Sequence, residues 1–281
     1  MTNKIQLSVI TPSFNGAQYI KDYLDSLIKN LPQDAEVIIV DNGSADETVE
    51  IIRKYHDVKL VENKINTGFG HANNQGGQIA KGEYLVFINQ DITVYKNSLE
   101  QMLEYARNHP EVGIVAPKLL NPDGTTQESV THLPTLLRAI EEYFLGQKNS
   151  YLQYAPKVDG PIEVEAVYGA VILIKKSLFE EIGGWDKRYF LFYEDLELCR
   201  QVKKRGFKII YLGNIEFKHL LGASQKKIEK MPFGTRTLSW FWPIKRSGSR
   251  YFMLKSARIY HGVLVATLIR IIMYLGVKFK N

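Results

Sequence analysis

Along most of the chain, apolar and polar positions fall into blocks whose period switches between two and 3.6 residues. Residues 5–10 read as a buried strand. Tyr19, Ile20, Tyr23, Leu24, Leu27 and Ile28 then recur at helical spacing until Pro32 closes the helix. Residues 36–40, 58–62 and 83–88 repeat the continuous apolar, partly β-branched run of a strand covered on both faces. Residues 47–55, 72–80 and 98–108 repeat the helical period. This alternation predicts right-handed crossovers and an α/β fold with a doubly wound, mostly parallel sheet.

Further on the pattern is less regular. A strand at 112–117 runs into turn-rich residues 118–124. The stretch 127–161 carries Pro134, Pro156 and Pro161 and reads as an excursion of helix and loop over the active site. A strand over 164–174, interrupted at Gly169 and Ala170, restores order. After it come a helix at 176–182 stopped by Gly183 and Gly184, an aromatic loop at 185–193, and a helix at 194–205. Short strands at 207–212 and 215–218 lead to His219. Residues 1–225 form one expected domain, and 226–281 a basic, aromatic-rich helical extension in which 259–279 is an apolar helix broken by His261 and Arg270.

Composition narrows the classes. One cysteine among 281 residues excludes a disulfide framework and zinc-ribbon spacings. The opening residues lack a signal-peptide layout. The net charge of +6 is concentrated in the last third, beside Trp240, Phe241, Trp242, Tyr251 and Phe252. Aromatic rings among lysines and arginines suit a headgroup boundary, so a peripheral site on the anionic inner face of the cell membrane, on the cytoplasmic side, is expected. A nucleic-acid partner is not expected.

The chemistry gathers at strand ends. Four successive runs finish in polar clusters, at 11–15, 41–44, 63–74 and 89–91, and ligands of open α/β sheets bind where strands end. In an extended chain Asn89 and Asp91 point the same way, as an anchor for Mg²⁺ or Mn²⁺ whose other ligands come from water and a diphosphate. Asp41 suits either a base imide or ribose contact or a helix cap. Gly68 and Gly70 let backbone approach a ligand, but they make no dinucleotide fingerprint, and no Walker loop occurs. Gly169, Ala170, Trp185 and Asp186 fit an acceptor or sugar pocket, with a core position the other reading for Trp185.

The stretches SVITPSFNG, EVIIVDNGSADET, NTGFGHANNQG, GEYLVFINQDI, VGIVAPKLLNPDGT, VYGAVILIKKSLFEEIGGWD and FLFYEDLELCRQVKKRGFKIIY, followed by FKHLLGAS, occur in order over about residues 5–224. Together they resemble family 2 glycosyltransferases of the GT-A fold, in the rhamnosyltransferase-like subgroup. The resemblance implies that Thr11, Pro12, Phe14 and Asn15 line a nucleotide pocket in which Asp41 holds the base. Asn42, Asn66, Gly68, Asn73 and Asn89 are its further candidates for base, ribose or diphosphate contacts. Asp91, with His219, would hold the divalent metal; the departure is Asn-Gln-Asp in place of Asp-x-Asp. Asp195 would be the base of an inverting transfer and Glu194 its neighbour shaping the acceptor site, although both also suit a helix N-terminus.

The implied activity is transfer of a sugar, best matched to L-rhamnose from dTDP-L-rhamnose, onto a saccharide or polyprenyl-linked acceptor. A UDP-sugar donor is the alternative. A nucleotidyltransferase would need a basic glycine-rich loop where TPSFNG stands, and a non-catalytic binding module has no use for Asp91 together with Asp195.

Overall fold

The computed structural model describes residues 5–143, 145, 153–220, 256–269 and 271. The first half is built as the periodicity predicts: β1 (Leu7–Ser13), α1 (Ala17–Lys29), β2 (Ala35–Asp41), α2 (Thr48–Ile52), β3 (Val58–Glu62), α3 (Phe69–Ile79) and β4 (Tyr84–Ile88). Next come β5 (Ile92–Val94), α4 (Ser98–Asn108), β6 (Val112–Leu120), β7 (Val130–Thr131) and α5 (Leu136–Tyr143). The remaining elements are β8 (Pro161–Val164), β9 (Ala166–Val167), β10 (Val171–Lys175), α6 (Lys176–Glu181), α7 (Glu194–Lys204) and β11 (Lys208–His219).

The main sheet runs β3-β2-β1-β4-β10-β6-β11-β5, with β8 added to β11. Strands β1 to β4 are mutually parallel, β11 is parallel to β6, and β10 is inserted antiparallel between β4 and β6. Side-chain alternation splits the core in two. Leu7, Val9, Tyr84 and Val86 pack with Ile20, Leu24 and Leu27 on one face, while Ile10, Leu85 and Phe87 pack with Ala72, Phe179 and Trp185 on the other. Both faces are covered, which is why these strands read as unbroken apolar runs.

Three departures from the sequence pattern shape the site. The single strand expected over 164–174 is three strands: β8 pairs with β11, β9 with β7, and β10 with β4 and β6. Between β9 and β10 the Gly169 N–H donates to the Asp195 carboxylate rather than to a neighbouring strand. Secondly, the expected strands at 207–212 and 215–218 are one strand, β11, with a register shift between Leu212 and Glu216. There the Gly213 N–H bonds the Gly160 carbonyl, and a Cβ at Gly213 would lie 2.0 Å from the Val158 carbonyl oxygen, so only glycine fits.

Thirdly, residues 89–91 form a turn, closed by the Ile92 N–H on the Asn89 carbonyl, so the period-two argument for Asn89 and Asp91 does not apply. The turn reverses the chain into β5, which pairs antiparallel with the end of β11 and sets His219 opposite Ile92. Most of the expected C-terminal extension, including Trp240, Phe241 and Trp242, lies outside the described residues. Its described part is helical at 256–261 and 263–269 and meets the domain where the Ser256 hydroxyl donates to the Leu191 carbonyl. Among the described residues no helix is long and apolar enough to cross a membrane.

Candidate active site

A cleft of about 270 Å³ opens along the carboxyl ends of β1, β2 and β4. One wall is made by Pro12, Ser13, Phe14, Asn42, Asn66, Gly68, Asn89, Gln90 and Asp91. The opposite wall comes from Gln127, Ser129, Tyr168, Gly169, Ala170, Phe190, Phe192, Glu194 and Asp195, and His219 joins the two near Asp91.

The first wall is cross-braced by short side chains at strand ends. Asp41 is buried and accepts four hydrogen bonds, from Ser13 Oγ (2.9 Å), Gly43 N (3.1 Å), Ser44 N (2.8 Å) and Ser44 Oγ (2.5 Å). Asn42 Nδ2 donates to Asn66 Oδ1 (3.0 Å) and to the Gly68 carbonyl. Its Oδ1 accepts from Asn63 and from both donors of Thr67. Gly68 takes φ 95°, and a Cβ there would lie 2.7 Å from the Phe190 carbonyl oxygen, so this glycine lets the two walls meet. Gln90 Oε1 accepts from Phe14 N, while its Nε2 donates to the Phe14 carbonyl (3.2 Å each), which clamps the turn after β4 to the loop after β1.

Asp91 is buried at the meeting point. Its Oδ1 lies 3.4 Å from His219 Nε2, and His219 Nδ1 lies 2.7 Å from Gln127 Oε1. A carboxylate oxygen and an imidazole nitrogen side by side are donors that Mg²⁺ and Mn²⁺ accept. No cluster of three or more His, Cys, Asp or Glu side chains suited to a metal occurs among the described residues, so an ion here would draw its other ligands from a diphosphate and water.

Glu194 and Asp195 open α7, both buried and both on the cleft. Asp195 accepts from the backbone N–H groups of Gly169 (3.0 Å) and Leu196 (2.8 Å). Burial pushes its pKa up to about 6 even against those two donors. Glu194 is pushed well above the usual carboxylate range by burial and by the neighbouring Asp195, and its Oε2 has no hydrogen-bond partner. The two carboxyls thus compete for one proton: burial favours the neutral form of both, and the neighbouring Asp195 raises Glu194 further. Phe192 and Tyr193, immediately before them, both take left-handed backbone at φ 68° and 69°. Non-glycine residues seldom do so, and such strain gathers where a side chain must be aimed.

Several residues expected at the site lie elsewhere. Thr11 is buried beneath the cleft with its hydroxyl against that of Tyr23, and Asp41 is enclosed by its own loop. Asn15, at φ 47°, turns its Oδ1 to the Ala45 N–H, and Asn73 is fully buried in α3 with both side-chain polar atoms unpartnered. Trp185 is a core residue: it stands edge-on to Phe69 and Phe87, and the Asn74 amide satisfies its backbone. Asp186 is held by Arg188 and lines a separate hollow of about 360 Å³ with Gly184, Trp185 and Glu197. Only Gly169 and Ala170 of that expected pocket face the cleft. Conversely Gln90, Gln127, Ser129 and Tyr168 line the cleft without having been singled out. Gln90 and Tyr168 sit inside the recognised motifs, whereas Gln127 and Ser129 fall between them and carry no periodic signal.

Comparison with known proteins agrees with this geometry. The chain is 28% identical over 231 residues to the N-acetylglucosaminyl-diphospho-decaprenol L-rhamnosyltransferase of Mycobacterium tuberculosis, covering 76% of this chain and 75% of that protein. It is 26% identical over 208 residues to a poly-beta-1,6-N-acetyl-D-glucosamine synthase of Staphylococcus epidermidis, covering 73% of this chain and 47% of that one. Among solved structures, GalNAc-T7 with UDP, GalNAc and Mn²⁺ superposes with a TM-score of 0.62 at 19% identity, over 78% of this chain and 44% of that one. The mannosyltransferase PcManGT of Pyrobaculum calidifontis, with GDP-Man and Mn²⁺, gives 0.56 at 20%, over 78% and 58%. The chain spans about half the length of these solved proteins, and the likeness establishes the GT-A fold. The family model for glycosyl transferase family 2 matches residues 8–183, more than half of the chain, and the chain belongs to that family.

Proposed function

We propose that this protein is an inverting, metal-dependent glycosyltransferase that moves L-rhamnose from dTDP-L-rhamnose onto a saccharide or polyprenyl-linked saccharide in bacterial cell-surface polysaccharide synthesis. The observation that carries the reading is the division of one cleft between an Asp91–His219 pair on one side and the buried, adjacent carboxyls of Glu194 and Asp195 on the other.

The donor's diphosphate would sit at Asp91 and His219, which would also hold a Mg²⁺ or Mn²⁺ ion. When bound, that ion supplies positive charge to offset the charge gathering on the departing nucleoside diphosphate. Pro12, Phe14, Asn42, Asn66, Gly68 and Asn89 line the side where nucleotide and diphosphate would lie, with Asp41 acting one step back by shaping the 41–44 loop. Asp195 takes the proton from the acceptor hydroxyl as its oxygen attacks the anomeric carbon and the bond to the diphosphate breaks. A pKa near 6 keeps Asp195 ionised at neutral pH while leaving it basic enough to serve. Glu194, whose carboxyl is pushed well above the usual carboxylate range and whose Oε2 has no partner, would hydrogen-bond an acceptor or sugar oxygen. Phe190, Phe192 and Tyr168 keep water from that side.

The rhamnosyl donor rests on the likeness to the mycobacterial relative. The apolar residues Val263, Leu264, Leu268 and Ile271, exposed on the C-terminal helical segment, support a peripheral position at the cytoplasmic face of the membrane, where a polyprenyl-linked acceptor would be met.

The test is nucleotide release by the purified protein with Mg²⁺ or Mn²⁺ across dTDP- and UDP-linked sugars, beside Asp91→Ala. Release of dTDP from dTDP-rhamnose that vanishes in the variant is the expected result. Turnover of a UDP-sugar instead would replace the donor and keep the class. Absence of both turnover and calorimetric nucleotide binding would overturn the reading.

A further inference from the structure

A file of hydrogen bonds runs from the exposed hairpin after β6 into the cleft, and its direction is set at the outer end. The Asp123 carboxylate accepts from Thr125 Oγ1 (2.6 Å) and from Thr125 N (3.0 Å), and these bonds hold Asp123 below the usual carboxylate range. A carboxylate can only accept, so the single hydroxyl hydrogen of Thr125 is committed to it. The hydroxyl oxygen then accepts from Asn121 Nδ2 (3.0 Å), and Asn121 Oδ1 accepts from Gln127 Nε2 (3.0 Å). That leaves Gln127 Oε1, an acceptor, facing His219 Nδ1 at 2.7 Å. Reversing the amides would set two acceptors against Thr125 with one hydrogen to share.

His219 Nδ1 must therefore carry the proton, and the neutral ring keeps its lone pair on Nε2. This is the minority tautomer of a free histidine side chain. In that tautomer the lone pair lies 3.4 Å from Asp91 Oδ1, and a cation between the two would satisfy both. We infer that Gln127, held by Asn121 and the Thr125–Asp123 hairpin, is a positioning residue that locks His219 as its Nδ1–H tautomer and thereby offers Nε2, with Asp91, to a divalent ion. The inference rests on the proposed role of Asp91 and His219, and it adds Gln127, which has no part in the chemistry itself. Outer partners of this kind orient metal-binding imidazoles and are felt in metal affinity by about 10- to 100-fold.

The direct readout is the ring-nitrogen spectrum of histidine-labelled, metal-free protein at pH 8, with His219 assigned from its absence in His219→Asn. A protonated Nδ1 and a bare Nε2 are expected. Gln127→Glu, which keeps an acceptor, should preserve that pattern; Gln127→Leu should move the proton to Nε2. Thr125→Val, on the exposed hairpin and safe for folding, should give a mixture of the two forms. Mn²⁺ titrated by electron paramagnetic resonance in the presence of UDP or dTDP should bind about 10- to 100-fold more weakly to Gln127→Leu and normally to Gln127→Glu. A wild-type ring protonated on Nε2, or on both nitrogens, would overturn the inference. So would Mn²⁺ binding that is weakened by Asp91→Ala and untouched by Gln127→Leu. Mn²⁺ binding indifferent to Asp91→Ala would instead remove the metal reading on which the inference stands.

Discussion

Asp41 and Asp195 are both buried aspartates at the ends of regular elements beside the same cleft, and they are treated in opposite ways. Asp41 accepts four hydrogen bonds from its own loop and from Ser13, so its lone pairs are spent on structure. Asp195 accepts two from backbone, and its neighbour Glu194 has an oxygen with none. Buried polar groups are nearly always satisfied, and the exceptions ask for a reason. Full satisfaction marks the scaffold of the donor side. The acid pair keeps an unpartnered oxygen on the cleft, and burial there raises both pKa values, the pattern expected of groups that act on a ligand.

The supports differ too. The donor-side turns use glycine where backbone is left-handed, at Gly43 and Gly68. The acid pair instead follows Phe192 and Tyr193, which take that conformation despite their side chains. The C-terminal helical segment braces this strained loop: Ser256 bonds the Leu191 carbonyl at 2.8 Å, and the Tyr260 ring lies 5.4 Å from that of Tyr193.

The largest expected effect breaks the contrast at its chemical end. Asp195→Asn should lower kcat by about 10³-fold while leaving nucleotide binding by calorimetry unchanged. The same variant should be more stable than the wild type at pH 8. The folded pKa of about 6 lies above the ordinary 3.8, so the unfolded chain loses this proton first. The stability this group contributes is present below pH 4 and declines as pH rises through 6. Removing the charge should restore on the order of 2 kcal/mol, read as a higher Tm and offset in part because Asn keeps one oxygen for the Gly169 and Leu196 N–H groups that Asp195 meets with two. Wild-type kcat should fall on the acid side with a midpoint near pH 6, as the base becomes protonated.

Asp41→Ala should act in the opposite sense. It leaves Ser13, Gly43 and Ser44 without their acceptor, which should cost about 3 kcal/mol in a denaturant titration, with nucleotide affinity falling only through loss of the loop. Equal stability together with lost uridine or thymidine selectivity would instead return Asp41 to direct base contact. Smaller again is Tyr260→Ala. Removing its ring from Tyr193 should lower kcat by about threefold to tenfold with KM for the donor unchanged, since the strain it braces lies on the base side. Smallest at the active site is Trp185→Phe. It should leave acceptor KM within about twofold while lowering stability by about 1–3 kcal/mol, the behaviour of a core ring rather than a sugar platform.

Where the pattern was local, it was readable from the chain. The strands and helices from β1 to β4, and α4 after them, follow from side-chain period, which acts within each element whatever it later pairs with, whereas β5, which exists by pairing with β11, carried no such signal. The resemblance singled out Asp91, His219, Glu194 and Asp195, and the fold brings all four to one cleft. What escaped depends on partners far along the chain. The run 164–174 is β-like apart from Gly169 and Ala170, and nothing local says that β8 ends on β11, β9 on β7, and β10 between β4 and β6. Trp185 has the composition of a sugar platform, yet Phe69 and Phe87 close over it from elsewhere.

The amino-acid sequence by itself determined a mostly parallel α/β sheet, the polar ends of its strands and the acidic pair opening α7, because period, turn chemistry and helix-start signals act over a few residues. Tertiary structure alone decided which of those polar groups are free to act. It enclosed Asp41, buried Trp185, left Glu194 wanting a partner and brought Gln127 to His219 across 92 residues of chain. Satisfaction of a buried polar group is a property of everything packed around it, and no local stretch of sequence contains that.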